Sequence, residues 1–181
     1  MRVLVLYATS HGHTRKVARC VMEALAQTGC SVELLAISDA DVVDFDNYDG
    51  VALAAAVHGN RYPSELSDFI NRNSVPLTKI PTLFISASLT AAGHDAEDWL
   101  GLERIEKNLK DATGWKPSRT EQIAGAYQPS GYDIFTRFIM RRIITEKDPE
   151  LDPDVDHEYT DWDSLDQAIR EWKATFLQTQ H

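Results

Sequence analysis

Apolar positions along the 181-residue chain follow two periods in turn, one suited to strands and one to helices. Val3–Tyr7 is a short, β-branched apolar run, as expected of a strand buried on both faces. Val17, Val21 and Leu25 then recur at helical spacing, and Gly29 stands where a C-terminal cap belongs. Ser31–Ile37 predicts a second strand. Val51–Val57 predicts a third, whose small alanines suit close packing under a ligand or a helix. Leu66, Phe69 and Ile70 resume the helical spacing, and Pro81–Ser88 predicts a fourth strand. Residues 91–119 lack strand signals, are helical in their middle (Leu102–Leu109), and read as an insert before a short fifth strand at Ile123–Ala126. Tyr132–Ile144 predicts a helix. Thr160-x-x-Asp163 is a capping-box pattern opening a last helix, with the stripe Leu165, Ile169, Trp172 and Phe176. Strands alternating with helices predict an α/β fold, a parallel sheet covered on both faces, with residues 1–181 forming one domain.

Charge changes the picture mainly toward the C-terminus. The chain carries a formal charge of −10, and ten acids face the single Lys147 between Glu146 and Asp166. Just before that tract, Arg137, Arg141 and Arg142 make Tyr132–Ile144 basic, so residues 132–158 read as a basic helix followed by an acidic tract, two surfaces with different roles. Overall acidity argues against nucleic acid as a partner. No apolar run approaches the ~20 residues of a membrane span, and no secretory signal is expected at the N-terminus. Cys20 and Cys30 form no disulfide framework, which fits a reducing, cytoplasmic setting.

The chemistry concentrates in Thr9-Ser10-His11-Gly12-His13-Thr14, between the first strand and the first helix. A loop at a helix N-terminus offers unpaired amides and a favourable dipole to an anion. Thr9, Ser10 and Thr14 add hydroxyl donors, and Gly12 permits close backbone approach. The segment carries no lysine and no GxGxxG, so it suits a monophosphate better than a nucleoside triphosphate or a dinucleotide. A plain strand-to-helix connection has the same composition. The third and fourth strands also end in polar loops, His58-Gly59-Asn60-Arg61-Tyr62 and Ser86-Ala87-Ser88-Leu89-Thr90. Open α/β sheets bind ligands beyond their strands' carboxyl ends, where these three loops would converge. Asp152-x-Asp-x-Asp156 is spaced like a calcium loop, but His157 occupies the position that needs Gly, and His11 and His13 lack companion ligands, so no metal site is expected. The four tryptophans read as core residues, with Trp115 the one placed to line a cleft.

Leu6-Tyr-Ala-Thr-Ser-His-Gly-His-Thr14 is similar to the phosphate loop of flavodoxins. More narrowly, the chain resembles the bacterial quinone-dependent protoporphyrinogen oxidases of the flavodoxin superfamily. That resemblance rests on the same loop, on Ile123-Ala-Gly-Ala126 followed by Tyr132…Phe135-x-x-Arg-Phe-Ile-Met140, and on Tyr159-Thr-Asp-Trp162. It implies a five-stranded parallel sheet in the order 2-1-3-4-5, helices on both faces, and an extra helix after the fifth strand. It implies FMN as cofactor, held by Thr9, Ser10, His11, Gly12, His13 and Thr14 at the phosphate. His58, Gly59, Asn60, Arg61, Tyr62, Ser88, Leu89 and Thr90 would flank the ring, with Tyr62 stacked on it and Arg61 opposing negative charge on the reduced flavin. No catalytic side chain is implied, because the flavin N5 carries the chemistry. The implied partners are protoporphyrinogen IX or a similar porphyrin and a quinone, in heme biosynthesis. The loop Val57-His-Gly-Asn-Arg-Tyr62 and Gln128-Pro-Ser-Gly131 depart from the tyrosine- and arginine-rich forms expected of that family.

In a minimal flavodoxin fold Leu165–Phe176 is the final helix, which leaves Tyr132–Ile144 surplus. At ~100° per residue, Phe135, Ile139, Ile143 and Met140 form an apolar arc with Arg137 and Arg141 opposite. Such a helix suits peripheral contact with the inner face of the cell membrane, and equally the protein's own sheet or a dimer interface. Two other functions remain compatible with the fold. One is a non-enzymatic electron carrier using the acidic surface; the other is an NAD(P)H:quinone reductase, for which no dinucleotide motif speaks.

Overall fold

The computed structural model describes residues 1–8, 12–40, 42–93, 95–131 and 134–178. Strands β1 (Arg2–Ala8), β2 (Ser31–Ala36), β3 (Gly50–Ala56), β4 (Thr82–Ser88) and β5 (Arg119–Ala124) form one parallel sheet in the order β2-β1-β3-β4-β5. This is the expected order. Helices α1 (Gly12–Gln27), α2 (Ser64–Arg72), α3 (Ser74–Lys79), α4 (Ala96–Thr113), α5 (Ile134–Lys147) and α6 (Trp162–Ala174) follow the strands. Residues 91–119, which the sequence presents as an insert, carry α4, the helical crossover that a parallel β4–β5 step requires.

Alternation along each strand sorts the core into two layers. Leu4, Leu6, Val51, Leu53 and Phe84 face one way, against Leu66, Phe69 and Ile70 of α2, Leu102, Ile105 and Leu109 of α4, and Trp115. Trp115 is therefore core and lines no cleft. Val3, Val5, Leu83, Ile85 and Ile123 face the other way, against Val17, Val21 and Leu25 of α1 and Leu165, Ile169 and Trp172 of α6. Both faces being covered explains why β1, β3 and β4 are near-continuous apolar runs.

β5 begins four residues before the apolar stretch that signals it, at Arg119. It is an edge strand, and its polar side chains find partners on the flanking helices. The Thr120 hydroxyl and the Gln122 amide donate to the Glu106 carboxylate of α4, at 2.9 and 3.2 Å. Arg119 pairs with Glu121 (2.5 Å) and with Glu171 of α6 (2.9 Å).

One packing contact ties the C-terminus to the sheet. The Phe176 ring, edge-on to Trp172 at 4.7 Å between centroids, lies against Gly50, so closely that an added Cβ there would strike it. Overpacking of this kind costs about 1–3 kcal/mol. Gly50→Ala is expected to lower unfolding stability by that order in urea denaturation, and Phe176→Leu in the same chain to recover part of the loss. A Gly50→Ala variant as stable as wild type would show that the ring moves freely aside.

Candidate functional site

Register brings the carboxyl ends of four strands to one level. Ala8 pairs with Ala55, Ala56 with Ala87, and Ser88 with Ala124. The loops leaving β1, β3 and β4 therefore open at the same edge, as a ligand site in an open α/β sheet requires.

Of the first loop, Thr9, Ser10 and His11 lie outside the described residues. Gly12 opens α1, with nothing within 4 Å of where a side chain would start. His13 and Thr14 are buried. The first turn of α1 holds no acid and one cation, Arg15. Cations oppose the helix dipole at an N-terminus. This end of α1, with no acid in its own first turn, favours an anion against it.

The second loop reverses the chain in a tight turn. His58 and Arg61 exchange backbone hydrogen bonds (2.9 and 3.3 Å), with Gly59 and Asn60 both at positive φ, +56° and +61°. His58, Gly59, Asn60 and Arg61 are exposed. Tyr62 is not. It is 8 % exposed, its ring meets Phe84 edge-on at 5.3 Å, and its hydroxyl donates to Ser86 Oγ at 2.8 Å. Burial pushes that hydroxyl up to about 12. The ring for which the resemblance implies a stacking role thus packs on Phe84, with its hydroxyl held by Ser86. In the third loop Ser88 Oγ accepts from the Ala91 amide (3.1 Å), Thr90–Ala92 form a short 3-10 turn, and Leu89 and Thr90 are half-buried at the rim.

A group of residues behind the first loop escaped the sequence reading. Two short strands, β6 (Ala126–Tyr127) and β7 (His157–Glu158), pair antiparallel beyond β5 and return the chain to α6. Gly125 donates its amide to Ser88 O (2.8 Å) and accepts from the Tyr159 amide (3.1 Å). The Thr160 hydroxyl donates to Ala124 O at 2.7 Å and lies 3.1 Å from His13 Nε2. Thr160 is therefore not the cap of α6. That role falls to Asp161, whose carboxylate accepts from the Ser164 amide at 3.0 Å. Glu158 accepts from Lys16 (2.6 Å) and from Trp162 Nε1 (2.9 Å), and Lys16 lies over the Trp162 ring. Burial alone would raise the Glu158 carboxyl, but the Lys16 and Trp162 hydrogen bonds outweigh it and hold the group below its ordinary value. Burial also holds the His13 imidazole below its ordinary value, against the opposing pull of Glu158. The only sequence signal for this cluster was that Ile123–Ala126 and Tyr159–Trp162 stood out separately. Their meeting is tertiary.

α5 stands beyond the β6–β7 ribbon. Tyr132, Asp133 and the Phe135 side chain lie outside what is described. Arg137 and Arg141 reach Asp154 at 3.6 and 3.2 Å, the Ser130 hydroxyl donates to Asp156 at 2.8 Å, and the Tyr127 hydroxyl donates to Pro153 O at 2.8 Å. The basic helix and the acidic tract thus fold onto each other. Ile144 is buried, while Ile134 (91 %), Phe138 (69 %), Ile139 (41 %) and Ile143 (41 %) are exposed. Met140 is half-buried, so the open apolar arc is Ile134, Phe138, Ile139 and Ile143, with the exposed Arg142 inside it. No helix among the described residues is long and apolar enough to cross a membrane.

The flavodoxin domain family matches this chain over residues 4–154. The chain is 26% identical over 171 residues to the protoporphyrinogen IX dehydrogenase [quinone] of Escherichia coli K12, covering 94% of each chain. It is 25% identical over 176 residues to the protein of the same name from Leishmania major, covering 97% of this chain and 74% of that one. Among solved structures, oxidised flavodoxin 1 from Bacillus cereus shares the fold, with a TM-score of 0.57 at 15% identity and coverage of 96% and 98%. Sheet order, loop placement and family match agree, and the chain belongs to the flavodoxin domain family.

Proposed function

We propose that the protein is an FMN-dependent oxidoreductase that oxidises protoporphyrinogen IX with a quinone as electron acceptor. The observation that carries the cofactor is the acid-free, cation-bearing first turn of α1, set at the edge where three loops open. These residues fit FMN. The amides and hydroxyls of Thr9–Thr14 receive the phosphate, Gly12 leaving room for it. The exposed turn His58–Arg61 and the rim residues Ser88–Thr90 flank the ring, and Arg61 opposes negative charge there. Bound FMN supplies a hydride acceptor at N5. The protein's part is to orient it and set its charge environment.

The substrate reading is supported by the names of the relatives from E. coli and L. major and by α5. The carrier alternative needs a free acidic surface, and part of that surface is already engaged. Asp154 holds Arg137 and Arg141, Asp156 holds Ser130, and Glu158 holds Lys16 and Trp162.

The exposed arc Ile134, Phe138, Ile139 and Ile143, with Arg142 within it, supports docking of α5 on an anionic lipid surface at the cytoplasmic face, where the quinone resides. Apolar side chains this open on a helix mark an interaction surface.

Purified protein reconstituted with FMN and given protoporphyrinogen IX anaerobically is expected to produce porphyrin fluorescence only when a quinone is also present. Absence of turnover, together with rapid reduction by a redox protein, would establish the carrier instead. A polypeptide that stays colourless in excess FMN would remove both readings. Phe138→Asp is expected to cut sedimentation with anionic vesicles several-fold, and to slow turnover with a membrane-embedded quinone while sparing a short-chain, water-soluble one. Equal losses with both quinones would place Phe138 at the active site.

A further inference from the structure

The open arc of α5 is bordered by cations that the acidic tract already holds. Arg137 and Arg141 stand three and seven residues after the exposed Ile134, so both lie on its side of the helix, Arg141 two turns on and nearly in line. Both reach the Asp154 carboxylate, and the three side chains stay about half exposed, at 46, 54 and 47 %. We propose that Asp154 is an exchangeable clasp on α5, occupying within the chain the place that phosphates of an anionic lipid take when the helix docks. Docking then depends steeply on anionic lipid, because the surface must displace an acid the protein itself supplies. The inference rests on the lipid-docking reading of α5 and adds what controls it.

The geometry of the clasp is that of a weak hold. Arg141 meets both Asp154 oxygens through the single nitrogen Nη1, at 3.2 Å each, and not as a two-pronged fork. Arg137 stands at 3.6 Å, beyond hydrogen-bond range. Half-exposed pairs of this kind contribute little, and one carboxylate is shared by two guanidiniums. An anionic lipid surface offers each guanidinium a phosphate of its own, in the two-pronged geometry that arginine favours. A helix lying in the interface sinks its apolar face while long cationic side chains reach up to the headgroups. Phosphatidylcholine makes no such offer, because its phosphate is answered by its own choline.

The fold around the clasp does not depend on it. The Pro153 carbonyl accepts from the buried Tyr127 hydroxyl at 2.8 Å, and Asp156 holds the Ser130 hydroxyl at the same distance. The Asp152 carboxylate accepts from the Asp154 amide at 3.0 Å, and the Asp152 carbonyl lies 3.1 Å from His157 Nε2. On α5 the inner side chain Ile144 is buried. Loss of the Asp154 charge therefore leaves both tract and helix in place and changes only what the two arginines face.

The test is sedimentation of the full chain with vesicles of phosphatidylcholine, pure or mixed about equally with phosphatidylglycerol, at ~0.15 M salt, where charges more than ~8 Å from the surface are screened. Asp154→Asn is expected to bind the mixed vesicles about five- to twentyfold more tightly than wild type, the worth of one to two cations at such a surface. On pure phosphatidylcholine it is expected to match wild type. In a chain carrying Arg137→Gln and Arg141→Gln, the same substitution is expected to gain at most about twofold, a coupling that a double-mutant cycle isolates. Equal gains with and without the arginines would mean plain charge repulsion and overturn the clasp. Weaker binding of Asp154→Asn to both kinds of vesicle would make Asp154 an anchor that α5 needs, and overturns it too. Should a variant not fold, the arginine side-chain N–H signals of wild type by NMR decide: those of Arg137 and Arg141 shift on adding phosphatidylglycerol bicelles, and unchanged signals overturn the exchange. If wild type and Asp154→Asn both ignore anionic vesicles, the docking reading itself falls. If wild type docks and Phe138→Asp does not, equal gains in the cycle sink this inference alone.

Discussion

Burial of a parallel sheet on both faces governs the rest of this molecule. A strand with no wet face must satisfy every amide within the ladder, which admits little slippage between neighbours. Ala8 against Ala55, Ala56 against Ala87, and Ser88 against Ala124 are consequences of that ladder. The small side chains at these ends let three loops open side by side. A helix with no acid in its first turn is set among them. Geometry and charge at this edge come from the packing, not from a dedicated domain.

The far side of the same edge is closed by residues from the last third of the chain. Tyr159 and Thr160 take up the carbonyls of Gly125 and Ala124, beyond the reach of β5's ladder, and Thr160 carries the link on to His13. Glu158 performs the equivalent service for Lys16 and Trp162. The acidic tract, which dominates the composition, is in this light partly structural. It anchors α5 by two arginines and fastens the ribbon to α1, while leaving the apolar arc of α5 open.

Much of this was legible in the amino-acid order. The fully buried strands β1, β3 and β4 and the stripes of α1 and α6 announced themselves, because burial on both faces or on one helical stripe leaves a local periodic trace. The surplus helix was legible too, since it is too apolar for a solvated loop. The early start of β5 was not. Arg119, Thr120, Glu121 and Gln122 look like loop residues until Glu106 and Glu171 are placed beside them.

Sequence by itself determined the order of the main strands and helices and the layers they form, which depend on neighbours a few residues apart. Tertiary structure alone decided that Tyr62 turns inward to Ser86, that Asp161 caps α6, and that Thr160 reaches His13 across 147 positions. A hydroxyl or a carboxylate has the same local signature whether it caps its own helix or bonds a distant one. Only the folded chain settles which partner comes within 3 Å or so, because hydrogen bonds are short and directional while periodicity carries no information about distant residues.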